Sequence, residues 1–113
     1  MHEFSLALEV VSLAGRELAR QEARSIMEII IEVGDLSGVE ADAFESALGL
    51  LTRDSVLENA GIRIRRTQGT GKCIGCNLEF VMHNRMDACP QCNCFPSEIT
   101  GGKEFRVVSM KVV

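Results

Sequence analysis

Cys73-Ile-Gly-Cys76 and Cys89-Pro-Gln-Cys92 are two C-x2-C pairs with twelve residues between them. A C-x2-C turn aims two sulfurs at one point, and a second such turn closes a tetrahedron of thiolates about 2.3 Å from a zinc ion. Four thiolates fill that shell and leave no position for water or substrate, so the spacing predicts a structural site rather than a catalytic one. Iron is the competing occupant, because a rubredoxin-like electron carrier also uses two such turns. A disulfide framework or four unrelated core cysteines are the blander readings. Cys94 is the odd thiol. It reads as a spectator, with replacement of Cys92 in the metal shell or a place just outside that shell as the alternatives. His83, midway between the pairs, reads as a surface histidine.

The other end of the chain also holds donors. Met1-His2-Glu3 opens the sequence, and bulky His2 is expected to keep Met1 in place, leaving an α-amine of pKa about 7.7–8.0 beside an imidazole. The amine nitrogen, the deprotonated amide nitrogen of His2 and the His2 ring can form two fused chelate rings on one ion. The amide of Glu3 can complete a four-nitrogen plane. Such a set suits Ni(II) or Cu(II) better than zinc. Its bland reading is a frayed, solvated terminus.

The elements that must position these residues belong to a small soluble protein. The chain has 113 residues, 46% hydrophobic and 25% charged, with no Trp or Tyr, so Leu, Ile, Val and five Phe must build the core. A formal net charge of −4 disfavours binding to nucleic acid, which needs a basic face. The one basic stretch, Arg63, Arg65, Arg66 and Lys72, reads as the solvated side of a strand. The apolar run Ile29-Ile30-Ile31 is too short to span a bilayer. The N-terminus lacks the basic and apolar regions of a secretory signal. The expectation is a cytoplasmic protein whose reduced thiols favour metal over disulfides.

Along the chain, Phe4 to Arg20 has helical periodicity, with Phe4, Leu8, Val11, Ala14 or Gly15, and Leu18 as its apolar stripe. Ser25 to Val33 alternates as a strand, with Met27, Ile29, Ile31 and Val33 on one face. Ser37 and Glu40 have capping-box spacing ahead of a second helix, from about Gly38 to Leu51. Its apolar stripe is Val39, Ala43, Phe44, Ala47, Leu48 and Leu51. Ile62 and Ile64 mark a second strand. Thr67 to Lys72 is polar and glycine-bearing and reads as a linker, and Leu78 to Val81 as a short strand between the cysteine pairs. Thr100-Gly101-Gly102-Lys103 reads as a turn. Phe105 to Val113 is a last strand whose phase slips at Val107-Val108, the mark of a bulge or of burial on both faces. Together these predict an α+β fold, two helices on a three-stranded sheet, with an inserted four-cysteine zinc hairpin domain. Residues 1–68 and 103–113 form the first domain, and residues 69–102 the insertion.

Met1-His2-Glu3 followed by Ser5, the segment Val33-Gly34-Asp35-Leu36-Ser37-Gly38-Val39, the two cysteine knuckles with Pro90, and the strand from Phe105 to Val112 occur in one order. In that order they resemble the HypA/HybF family of nickel metallochaperones for NiFe hydrogenase maturation. The resemblance covers the whole chain. It implies that His2 is a nickel ligand, joined by the Met1 amine and neighbouring backbone nitrogens such as that of Glu3. It also implies that zinc at Cys73, Cys76, Cys89 and Cys92 is structural. Ni(II) would pass, with a HypB-type GTPase as partner, to the hydrogenase large subunit, and in some organisms members also serve urease maturation. No catalysis is implied. The family usually has Gly and a small residue after the last cysteine, where this sequence has Asn93-Cys94. Besides the iron electron carrier, a zinc-ribbon module for protein or nucleic-acid contacts is the other class that the cysteines alone admit.

Overall fold

The computed structural model describes residues 2–113. Met1, and with it the α-amine of the expected nitrogen set, lies outside the described residues. The elements are α1 (His2–Arg20), β1 (Ile26–Gly34), α2 (Ala41–Leu51), β2 (Gly61–Thr67), β3 (Gly69–Cys73), β4 (Glu79–Met82), β5 (Pro96–Gly101) and β6 (Phe105–Val112). They make two three-stranded sheets, ordered β2-β1-β6 and β4-β3-β5. The chain divides into two compact units. One comprises the residues through Ile31, then Glu40–Arg65 and Arg106–Val113; the other comprises Glu32–Val39 and Arg66–Phe105. Among the described residues no helix is long and apolar enough to cross a membrane.

In the first unit α1 starts at His2, ahead of the expected Phe4. Its buried stripe is Ala7, Val10 and Ala14, whereas Phe4 and Leu8 are exposed. Of the expected stripe Ala14 is buried and Val11 and Leu18 half-buried, so the reading failed at the helix start and held toward its end. Two of the three buried positions are alanines, and α1 packs against α2. Phe44, Ala47 and Leu48 are the buried face of α2.

The start of α2 also differs from expectation. Glu40 itself is the N-cap: its carboxylate accepts from the Asp42 N–H (3.3 Å) and the Ala43 N–H (2.7 Å). No capping box forms, because Gly38, at φ +84°, turns the chain between Ser37 and Glu40. Ser37 Oγ instead accepts from the Val39 N–H at 3.1 Å. In β1, Ile29, Ile31 and Val33 are buried as the alternation predicts, but Ile26 is buried and Met27 exposed, so the pattern breaks at the strand's start. Val107 and Val108 of β6 are both half-buried. Arg63 is exposed and pairs with Glu28 at 3.8 Å, as a solvated strand face would.

The second unit holds the largest departure. The expected linker contains β3, the central strand of its sheet. β3 pairs antiparallel with β4 (Gly69 opposite Met82, Gly71 opposite Phe80) and with β5 (Gly71 opposite Ile99). Glycine is required there by packing rather than by turning. A Cβ on Gly69 would lie 2.6 Å from Leu36 Cγ and 2.5 Å from the Met82 carbonyl oxygen. β5, with one aliphatic side chain in Ile99, carried no alternation to read.

Leu36, Cys73, Phe80, Met82 and Cys89 form this unit's core. Leu36 is fixed by backbone bonds around it: the Asp35 N–H donates to the Thr67 carbonyl (2.9 Å) and the Leu36 N–H to the Gly102 carbonyl (2.7 Å). Gly102 presents that carbonyl from φ +79°, a conformation glycine adopts without penalty. The Leu36 carbonyl in turn accepts from both Nε (3.1 Å) and Nη2 (2.7 Å) of Arg85.

Candidate metal centre

Two identical backbone loops gather the cysteines. In the first, at the end of β3, the Gly75 N–H donates to Cys73 Sγ (3.3 Å). The Asn77 N–H donates to the Cys73 carbonyl (3.0 Å), and the Cys73 N–H to the Leu78 carbonyl (2.9 Å). The second repeats each bond at the same offset: Gln91 N–H to Cys89 Sγ (3.4 Å), Asn93 N–H to the Cys89 carbonyl (2.9 Å) and Cys89 N–H to the Cys94 carbonyl (2.8 Å). Both loops close through an asparagine in the left-handed region, Asn77 at φ 65° and Asn93 at φ 67°. Asparagine tolerates that region best after glycine, so Asn93 keeps the geometry that the usual glycine would supply.

The sulfurs of Cys73, Cys76, Cys89 and Cys92 all lie within 4.8 Å of one another. Cys73 Sγ is 3.2 Å from Cys92 Sγ, and Cys76 Sγ is 3.6 Å from Cys89 Sγ. A tetrahedron with metal–sulfur bonds of about 2.3 Å has edges of about 3.8 Å, so the set needs little movement to accept an ion. All five cysteines are free thiols. Cys73 and Cys89 are buried, Cys76 half-buried, and Cys92 and Cys94 exposed.

The electrostatics call for a cation. A backbone hydrogen bond with Leu78 draws the Cys76 thiol down, but burial and the neighbouring thiols push it up to about 12. Cys92 shifts down, through a backbone hydrogen bond with Cys94 and the adjoining Cys73 thiol. Cys94 shifts up, because its thiol is hydrogen-bonded to Cys92 and sits beside that residue's charge. Four sulfurs this close cannot all ionise without a positive charge among them. His83 is exposed, and its backbone N–H donates to Asp87 Oδ2 at 2.7 Å. That bond holds the Asp87 carboxyl below its ordinary range.

At the other expected site, His2 is exposed on the first residue of α1. Its amide and that of Glu3 belong to the first turn, where no carbonyl lies one turn earlier to accept them. Glu3 Oε2 accepts from the Glu40 N–H at 3.1 Å, tying the start of α1 to the cap of α2. That bond, and one from its own N–H, hold the Glu3 carboxyl below its usual value of 4.5. The two sequence-derived sites thus fall in different units, the cysteines in one and His2 with Glu3 in the other. Sequence reading singled out Glu40 as the partner of Ser37 in a capping box rather than as the N-cap itself, and it did not find Arg85, whose partner is a distant backbone carbonyl.

The mixed α+β chain thus gathers four thiols in paired knuckles, a donor set able to hold one metal ion. The profile of the family described as HypA, hydrogenase/urease nickel incorporation metallochaperone, matches residues 1–112. The hydrogenase maturation factor HypA of Geobacter metallireducens is 36% identical over 112 residues, covering 99% of both chains. That of Geotalea uraniireducens is 39% identical over 114 residues, again covering 99% of both. The solution structure of the nickel metallochaperone HypA from Helicobacter pylori shares the fold with a TM-score of 0.66 at 22% identity, covering 98% of this chain and 97% of that one. The chain belongs to the HypA family of hydrogenase maturation metallochaperones, which are not enzymes.

Proposed function

We propose that the protein binds Ni(II) at its N-terminus and delivers it to a NiFe hydrogenase, using a resident zinc ion only to hold its second unit together. The observation that carries this reading is the HypA family match across residues 1–112, which includes His2 and all four cysteines. Nickel is the cargo. His2 supplies its imidazole and amide nitrogen, and the Met1 amine and the Glu3 amide complete the set. The exposure of His2 and the helix-start position of both amides favour such a site, since those nitrogens are not engaged in the helix ladder. A shell built largely of backbone nitrogens binds by reordering one turn and releases by letting it refold. Proton competition weakens it as pH falls.

Zinc is the ion we assign to Cys73, Cys76, Cys89 and Cys92. The donor set suits it: four soft thiolates near tetrahedral spacing, two of them buried. When bound it supplies a cross-link and no reaction. The unit carrying His2 is then the nickel-binding domain, and the unit carrying the four cysteines, which takes in Glu32–Val39 as well as the expected insertion, is the zinc-binding domain. A HypB-type GTPase is the partner for transfer, the hydrogenase large subunit the recipient, and urease a second destination where the cell makes one. The cytoplasm, where such apoenzymes are assembled, is the site of action.

Metal analysis of protein with an untagged N-terminus tests the reading. The expected result is one zinc as isolated, a colourless solution and one further nickel after loading. In the His2→Ala variant nickel uptake should vanish by calorimetric titration, while zinc content and far-UV circular dichroism stay unchanged. Unaltered nickel affinity in that variant would sink the assignment, and a red iron-bound isolate would replace zinc.

A further inference from the structure

The fifth cysteine occupies a specific place in the second knuckle. By the repeated bonding pattern, Cys94 stands where Leu78 stands in the first loop, as the residue whose carbonyl accepts from the loop's opening cysteine. Leu78 packs into the core of its unit, but Cys94 is exposed. Its sulfur is directed back at the cluster. A Cβ built on Gly75 would lie 3.5 Å from Cys94 Sγ, 3.6 Å from Cys92 Sγ and 3.8 Å from Cys73 Sγ. Three sulfurs therefore surround one bare glycine.

We infer that Cys94 is an alternative zinc ligand, exchanging with Cys92, so that the fourth position of the tetrahedron is shared by two thiols. The inference rests on the assignment of zinc to the cluster. Cys92 is the exposed member of the four, the one with least packing to lose on moving away. Gly75 leaves space at the point where Cys94 would swing in. Exchange conserves charge: one thiolate enters, the other leaves and takes up the proton released by the incoming thiol. Zinc stays bound by Cys73, Cys76 and Cys89 throughout. Entry of Cys94 would undo the bond from the Cys89 N–H to the Cys94 carbonyl, so the second knuckle has a tight state and an open one.

Zinc stoichiometry and the sulfur-to-metal charge-transfer band of the Co(II)-substituted protein test this in four variants. Cys92→Ala should keep one zinc and a four-thiolate cobalt spectrum, whereas Cys89→Ala should lose the metal. Cys92→Ala/Cys94→Ala should lose zinc or retain it with a three-thiolate spectrum. Cys94→Ala should match the wild type. Loss of zinc from Cys92→Ala, or a four-thiolate-like site in the double variant, overturns the exchange. Alkylation of intact zinc-loaded protein with iodoacetamide gives a second measure that needs no ligand removed. Peptide mapping should find the adduct on Cys92 in some chains and on Cys94 in others, with Cys92 protected in Cys94→Ala. Adducts confined to Cys94 overturn the inference as well. Wild-type protein devoid of zinc would instead overturn the zinc assignment beneath it.

Discussion

Glu3 connects the residue expected to carry nickel with the second helix. Its carboxylate accepts the Glu40 N–H, and that bond, with one from its own N–H, keeps its folded pKa below 4.5. A carboxyl with a depressed folded pKa stabilises the fold above its unfolded value of about 4.3, and that contribution fades as pH falls through the lower folded value. Carbon-detected NMR should therefore place the Glu3 midpoint below 4.5, with the Glu40 amide shift following the same curve. Glu3→Gln should abolish that dependence while leaving the helices intact. A Glu3 midpoint at or above 4.5 would mean that the tie to Glu40 is not made in solution.

At the scale of elements, Glu40 is an unusual helix cap, longer than the Ser, Thr, Asp or Asn that normally take the position. Two bonds from one carboxylate, to Asp42 and Ala43, make up for the length. Glu40→Ala should cost about 1 kcal/mol by urea unfolding, and Glu40→Asp should lose one of the two bonds. How much of each element could be read from sequence follows from what defines it. The knuckles were legible because their geometry is local and their chemistry is written in cysteine spacing. Ile29, Ile31 and Val33 were legible because that face of β1 is buried from Ile29 onward. β3 was not, since Gly69 is there to admit Leu36 and the backbone of β4, and such packing demands have no sequence period. The start of the α1 stripe was misread because size suggested Phe4 and Leu8, whereas the buried positions there are Ala7 and Val10.

For the molecule as a whole, the division into two units predicts divided behaviour. The core of the second unit includes Cys73 and Cys89 among its five buried members, so metal binding and core formation there are one event. Structural zinc in small domains contributes about 10–16 kcal/mol in apparent terms, more than such a core supplies unaided. Removing zinc with a strong chelator should collapse the amide dispersion of residues 66–105, while α1 and α2 keep their ellipticity at 222 nm. Retention of native shifts at Phe80 and Met82 after complete zinc removal would show that the core stands without metal.

The order in which these pieces leave the ribosome is fixed by their order in the chain. β6 pairs with β1 in the first sheet, yet it follows both knuckles in sequence. Both knuckles are therefore synthesised before the strand that completes the first unit. Domains fold largely as units as they emerge, so capture of the zinc ion should precede closure of the unit that bears His2. Nascent chains stalled before Phe105 has cleared the exit tunnel should already protect Cys73 and Cys89 from alkylation when zinc is supplied, while β1 still lacks its last neighbour. A protein built to furnish one metal would thus need another before its own first sheet is closed.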